Sequence, residues 1–413
     1  LGKTITKRNR GTLMEKISFI IPSRDNLKYL KWAYEGLRKN CSQEHQICMA
    51  DDASTDGTWE WMVEEQKKNK NLSIYRNEGP DRLGLTVLYD YLAEELATND
   101  VIMFFHADMY PSKDMDKKIL NRLERGTVVS ATRIEPPLHP DGPEKIISPL
   151  GFEPEEFDEE KFDKDVELYT KSEYTDGVFA PWAIHKEDYF DVNGHDQLFI
   201  PQSREDSDIF NRFYLNGYQF RQIWDGFVYH LTSRGSRFRD GVGKDSEEWK
   251  YSNSRNMRNF IRKWGATPMH DAMMKPIVLP KYDIGLVVEN CNTELLGALE
   301  PWCSHIYGDW VGHKGHGVNQ YVEEEQKNTE YDLKKKMRTL HLEPENDVVV
   351  RFDANKITNE NINFVSQMPM ILQEQEEIGA FQHDIFKVEI RKLEHKTKEL
   401  IKSRPLKSYG FKL

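Results

Sequence analysis

Cysteine is scarce in this chain: Cys41, Cys48, Cys291 and Cys303 are the only four in 413 residues, and none forms a CxxC pair. Such usage supports no disulfide framework, so a small secreted scaffold is excluded and a reducing, cytoplasmic setting is the expectation. Long apolar runs are also missing. The longest, Ile17–Pro22 and Val101–Phe105, are strand-sized, whereas a membrane-spanning helix needs roughly 20 apolar residues. The opening segment, Leu1 to Gly11, is basic but lacks the apolar centre of a secretory signal. No repeat of fixed period is visible. What is present is 38% apolar, 31% charged and 11% aromatic residues, which excludes a disordered chain and fits two or three globular domains. The net charge of −12 is unevenly spread. Gly151–Leu168 is strongly acidic, while Arg234–Lys263 is rich in Arg and Lys.

The first hundred residues alternate. Strand-like runs at Ile17–Ile21, Gln46–Ala50, Leu72–Tyr75 and Val101–Phe105 are separated by helical spacing at Leu27–Lys39, Trp59–Asn69 and Leu83–Ala97. That order means βαβ units and a parallel sheet, whose ligands gather at the carboxyl ends of the strands. Residues 133–176 are Pro-rich, acidic and aperiodic, the pattern of a long insertion or lid. Strand character resumes at Val178–Ile184 and Gln219–Tyr229, with helices at Glu205–Leu215 and Ser246–Trp264. Pro276 and Pro280 then punctuate the chain.

Beyond Lys281 a second α/β unit is expected. It has strands at Asp283–Val288, His305–Tyr307 and Asp347–Phe352, and helices at Thr293–Leu299, Asn359–Gln367 and Phe381–Lys402. The organisation read from the chain is therefore an N-terminal extension at 1–15, a main domain at 16–280 with its insertion at about 133–176, and an accessory domain at 281–413. Cys303, His305, His313 and His316 invite a zinc reading, but their spacing matches no closed site. A flexible polar loop at Gly308–Gly317 is the simpler expectation.

Candidate chemistry sits at three strand ends and one helix start. MADDASTDGT puts Asp51 and Asp52 where a strand passes into a helix; one carboxylate reaches a ligand or both belong to an Asx-turn and cap. FFHADMYP runs an apolar strand into His106 and Asp108. A carboxylate there supplies an oxygen ligand for the divalent cation that diphosphate chemistry needs, or is a turn residue. PQSREDSDIFNRF opens a helix with Glu205, Asp206 and Asp208. Carboxylates cap that end, and crowding them raises the pKa of one, which suits a general base. His230 ends another strand ahead of a loop rich in Ser, Arg and Gly, where it suits a metal.

The ordered set ISFIIPSRD, MADDASTDGT, RLGLTVLYD, FFHADM, GVFAPWAIHKEDYFDVNGHD, REDSDIFNRF, YHLTS and NFIRKWG resembles a GT-A glycosyltransferase of family 2, over about Lys16 to Gly265. The resemblance implies a Rossmann-like α/β domain with a mostly parallel sheet. It implies inverting transfer of a sugar from a nucleoside-diphosphate sugar to an acceptor hydroxyl, with Mn or Mg. Carried over by position, Pro22, Arg24, Asp51, Asp52, Gly84 and His106 bind the donor. Asp108 and His230 hold the metal, and Arg234 and Arg237 add charge to the phosphates. Asp206 is the catalytic base with Glu205 beside it. His106 departs from the Asp usual at the first DxD position, and Asp90 stands where Asn is common.

The acceptor implied is a glycan or a lipid-linked sugar. A nucleic acid, as a hydroxymethylated DNA base, is the alternative motivated by the basic stretch Arg234–Lys263. A nucleotide-sugar-binding protein without catalysis is the rival from another class.

Overall fold

The structure is a computed structural model that describes residues 15–235, 237–310 and 313–404. The expected N-terminal extension, through residue 14, lies outside the described residues, as do the side chains of His313 and His316. The chain begins as its pattern predicts: β1 (Ile17–Ser23), α1 (Leu27–Asn40), β2 (Gln46–Asp52), α2 (Thr58–Lys68), β3 (Leu72–Asn77), α3 (Leu85–Tyr91) and β4 (Val101–Phe104). Next come β5 (Met109–Pro111), α4 (Met115–Leu120), β6 (Thr127–Glu135), β7 (Lys145–Ile147), α5 (Glu159–Tyr169), β8 (Tyr174–Thr175) and β9 (Trp182–His185). They are followed by α6 (Lys186–Asp191), α7 (Glu205–Leu215), β10 (Gln219–His230) and α8 (Glu247–Trp264).

These strands form one sheet in the order β3-β2-β1-β4-β9-β6-β10-β5, with β7 beside β6 and β8 beside β10. β3, β2, β1 and β4 run parallel, as do β6, β7 and β10, while β9 lies antiparallel to both β4 and β6. β1 and β2 are buried at every position, which is why they read as continuous apolar runs rather than alternating ones. Strand order reverses at β1, so the carboxyl ends of β1, β2 and β4 surround the crevice where α/β sheets bind ligands.

Residues 133–176, expected as an aperiodic insertion, carry β7, α5 and β8. The acidic run is anchored by Phe157 and Phe162. Phe157 stacks on Tyr229 at 5.2 Å between ring centroids and meets Trp32 edge-on, and Phe162 is fully buried.

The second sheet lies wholly beyond Lys281. Its elements are β11 (Ile284–Glu289), α9 (Thr293–Leu299), β12 (His305–Gly308), α10 (His313–Glu325), α11 (Leu333–Lys336) and β13 (Met337–Thr339). β14 (Val348–Asp353), α12 (Asn363–Gln373), β15 (Gly379–His383) and β16 (Phe386–Ile390) follow. The order is β13-β12-β11-β14-β16-β15, parallel from β13 to β14. Three expectations are corrected here. Phe381–Lys402 is not a helix: β15 and β16 form an antiparallel hairpin in which Phe386, Val388 and Ile390 alternate inward. The helix expected at Asn359–Gln367 begins at Asn363 and runs to Gln373. Part of the expected loop Gly308–Gly317 is helix α10.

The chain divides into two compact units, Leu1–Arg82 with Leu88–Tyr189 and Gln219–Gly235, and Leu83–Val87 with Phe190–Tyr218 and Ser236–Leu413. Lys281 separates the two sheets, whereas α7 and α8 belong to the unit that holds the second sheet. No described helix is long and apolar enough to cross a membrane.

Candidate active site

In the first unit the sheet brings three expected residues together. His106 and Asp108 follow β4, and the antiparallel pairing of β5 with β10 sets His230 opposite Met109, next to Asp108. The ligand atoms of His106, Asp108 and His230 all lie within 4.8 Å of one another. His230 Nε2 is 3.5 Å from Asp108 Oδ1, and its Nδ1 is 2.9 Å from Glu135 Oε1. Burial raises the pKa of Asp108, but His230, His106 and the Arg234 backbone N–H outweigh it and hold the carboxyl well below the usual range. Burial also disfavours the His230 imidazolium, yet Asp108 and Glu135 prevail and raise its pKa to about 9. Glu135 was not among the residues expected at the site. The signal for it was the pair of opposite charges, Arg133 and Glu135, two apart at the end of an otherwise uncharged strand.

The loop after β10 closes on the same carboxylate. Thr232 and Ser233 have φ of 64° and 58°, a costly conformation for non-glycine residues and most of all for a β-branched one. This turn lets the Arg234 backbone N–H donate to Asp108 Oδ2 at 3.0 Å. Arg234 is 3% exposed. Its Nη2 donates to Phe152 O at 2.6 Å, while Nε and Nη1 have no hydrogen-bond partner.

The expected Asp pair ends β2. Asp51 Oδ1 accepts from Ser54 N at 3.0 Å, making the Asx-turn, and its Oδ2 lies 3.6 Å from Arg76 Nε without a hydrogen bond. Asp52 Oδ1 accepts from Asn77 Nδ2 at 2.8 Å, and Arg82 Nε lies 3.6 Å from Oδ2. Both aspartates are therefore held by β3 and the loop after it. Pro22 is buried in β1, and Arg24 follows that strand with its Nε 3.9 Å from Asp25. Asp90 accepts a hydrogen bond from the Tyr189 hydroxyl.

The second unit holds the remaining expected residues. Gly84 has φ of +80°, and a Cβ there would come within 2.5 Å of Pro201 Cα, so this position requires glycine. Ser203 and Arg204, with φ of 81° and 74°, lead into α7. Ser203 Oγ donates to Asn253 Oδ1 at 2.8 Å, and Asn256 Nδ2 donates to Gln202 O at 2.7 Å. The three carboxylates of α7 then differ sharply. Asp208 is fully buried and engaged by Arg212 Nε at 2.8 Å, Lys263 Nζ at 2.6 Å and Trp264 Nε1 at 2.9 Å. Glu205 is buried, with Oε2 unpaired; burial first and the Asp206 charge second push its pKa up to about 8. Asp206 is partly exposed.

Beyond Arg234, most cations of the basic stretch are paired internally. Arg237 is paired with Asp245 at 2.6 Å and lies 4.5 Å from the Trp249 ring centroid. Arg239 pairs with Glu248, Arg258 with Glu325, and Lys263 with Asp196. Arg262 pairs with Glu300 at 2.6 Å and with Glu325.

Residues 18–188 match the family model described as Glycosyl transferase family 2. No curated protein matches the chain. Among solved structures, a crystal structure of GalNAc-T7 with UDP, GalNAc and Mn2+ is similar at 14% identity and a TM-score of 0.46, over 61% of this chain and 48% of that one. S. aureus TarS 1–349 is similar at 17% identity and a TM-score of 0.39, over 52% and 60% of the two chains. The mannosyltransferase PcManGT from Pyrobaculum calidifontis, in complex with GDP-Man and Mn2+, is similar at 16% identity and a TM-score of 0.39, over 54% and 59%. The chain thus covers 48–60% of the length of these three structures. Residues 18–188 of this chain are therefore similar to the family 2 glycosyltransferases.

Proposed function

We propose that the protein is an inverting, metal-assisted glycosyltransferase that moves a sugar from a nucleoside-diphosphate sugar to an acceptor hydroxyl. The observation that carries this reading is the cluster of His106, Asp108 and His230, beside which Arg234 keeps two buried donors unpaired. Two imidazoles and a carboxylate fit a divalent first-row ion, and the nitrogen content favours Mn over Mg. Held by these three side chains, such an ion supplies positive charge against the departing diphosphate. Arg234 Nε and Nη1 donate to phosphate oxygens, which satisfies groups that are otherwise orphaned. Asp51, Asp52 and Arg24, at the ends of β2 and β1, take the nucleoside, with Gly84 keeping its own loop tight against Pro201.

Asp206 is the base by elimination among its neighbours. Asp208 is consumed by Arg212, Lys263 and Trp264, and Glu205 is buried with its pKa raised, whereas Asp206 is partly exposed. Asp206 accepts the acceptor's proton as the new glycosidic bond forms. Arg237 has no part in this scheme, because Asp245 and Trp249 already occupy it.

The acceptor in this reading is a glycan or lipid-linked sugar. Most cations of the basic stretch that favoured nucleic acid are paired internally, Arg237, Arg239, Arg258, Arg262 and Lys263 among them. The free cysteines are compatible with the reducing, cytoplasmic setting. A thermal-shift panel of UDP-, GDP-, TDP- and CMP-sugars with Mn2+ tests the donor. One of them should raise the melting temperature of the wild type and leave that of Asp108→Ala unchanged. Equal stabilisation of both proteins would sink the assignment.

A further inference from the structure

We propose that Glu135 is the positioning residue of the metal site, fixing the tautomer and orientation of His230, and that strand β7 of the insertion serves to hold Glu135. This inference rests on the metal reading above. A carboxylate only accepts hydrogen bonds, so the 2.9 Å contact from His230 Nδ1 to Glu135 Oε1 assigns the hydrogen to Nδ1. Nε2 is then the nitrogen that faces Asp108, and it is the one a cation would take by displacing its proton. Neither side chain has room to rotate: His230 is 7% exposed and Glu135 is 1% exposed.

Glu135 is itself clamped. Arg133 Nη1 lies 2.7 Å from Oε1, and Lys145 Nζ lies 3.2 Å from Oε2. Arg133 and Glu135 share one face of β6, two residues apart, and the parallel register sets Arg133 beside Lys145 of β7. Arg133 is fixed in turn by the Phe179 ring, 4.0 Å away, and by Glu144 at 3.6 Å. Burying a carboxylate and two cations is expensive unless every member is paired. A backbone carbonyl would satisfy Nδ1 at far lower cost. The arrangement gains a fully charged acceptor behind the imidazole, which makes Nε2 a stronger ligand. The early part of the insertion, Arg133 to Ile147, is thereby assigned to the metal site.

The test is direct Mn2+ titration of the full chain without nucleotide, reading free Mn2+ by electron paramagnetic resonance. Glu135→Gln keeps shape and an acceptor but removes the charge. Its Mn2+ dissociation constant should rise by roughly 10–100-fold. Lys145→Met, which leaves the carboxylate but loosens it, should give a smaller rise, and Glu135→Asp should recover part of the loss. A folded Glu135→Gln protein with wild-type Mn2+ affinity would overturn the inference and leave Glu135 a structural ion pair. If Glu135→Gln does not fold, unchanged Mn2+ affinity in Lys145→Met overturns it instead. Wild-type protein that binds no Mn2+ overturns the metal reading as well, which separates the two failures.

Discussion

Replacing Arg234 with Met separates stability from function in opposite directions. In the unliganded protein the guanidinium is 3% exposed, makes one side-chain hydrogen bond at 2.6 Å to Phe152 O, and leaves Nε and Nη1 unpaired. Each unsatisfied buried donor costs ~1–3 kcal/mol, while a hydrogen bond from a charged group contributes ~1.5–3 kcal/mol. Removing the group deletes one such bond and two such penalties, so the unliganded protein should lose little stability or gain some. With a diphosphate bound, the two orphan donors become charge-assisted bonds, and their loss amounts to about 3–6 kcal/mol. At about 1.4 kcal/mol per tenfold, affinity should fall by at least roughly 100-fold. Calorimetric titration with a nucleoside diphosphate and Mn2+, paired with melting curves lacking both, measures the two effects. An Arg234→Met protein that binds the diphosphate as tightly as wild type, or melts far below it without ligand, refutes the reasoning.

Glu300 is fully buried between Arg262 Nη2 at 2.6 Å, Lys336 Nζ at 2.5 Å and Tyr321 Oη at 2.9 Å. Glu300→Gln strands these cations and should destabilise the protein by ~3–5 kcal/mol, read from urea unfolding. Glu205 carries the pH dependence of α7. Its folded pKa, about 8, lies above the ordinary glutamate value of 4.5, so the folded state holds more protons between those values and stability falls as pH rises through the window. Glu205→Gln should therefore melt like wild type at pH 4 and higher than wild type at pH 8.5; a constant difference at both would contradict the assignment. Asp208→Asn should lower the melting temperature at every pH in that range, because it breaks a buried network rather than a reactive group.

The sequence made the parallel core legible because β1, β2 and β4 are short apolar runs set between amphipathic helices. The strand-end positions of Asp51, Asp52, His106, Asp108 and His230 followed from the same pattern. Other features were hidden for identifiable reasons. The acidic insertion looked unstructured because its apolar anchors are sparse, Phe157 and Phe162 packing on Tyr229, Trp32 and Tyr110, which are distant in sequence. The hairpin of β15 and β16 resembled a charged helix because Lys387 and Glu389 punctuate it. The two-residue alternation of Phe386, Val388 and Ile390 was the correct period. The roles of Glu205 and Asp208 could not be told apart in one dimension. Burial raises the pKa of the first, and Arg212, Lys263 and Trp264, distant in sequence or a helical turn away, neutralise the second. The cations of Arg234–Lys263 motivated the nucleic-acid alternative because their partners Asp196, Asp245, Glu300 and Glu325 lie mostly outside the stretch in sequence.

Nucleotide release from a nucleotide-sugar donor, followed with and without Mn2+ in wild type and Asp206→Asn, tests sugar transfer itself. Wild type should release nucleotide in an Mn2+-dependent way. In Asp206→Asn, donor binding should persist while release falls by roughly 10²–10⁴-fold, the range for loss of a general base. Release at the wild-type rate by Asp206→Asn, or no release from any donor by wild type, would contradict the proposed function.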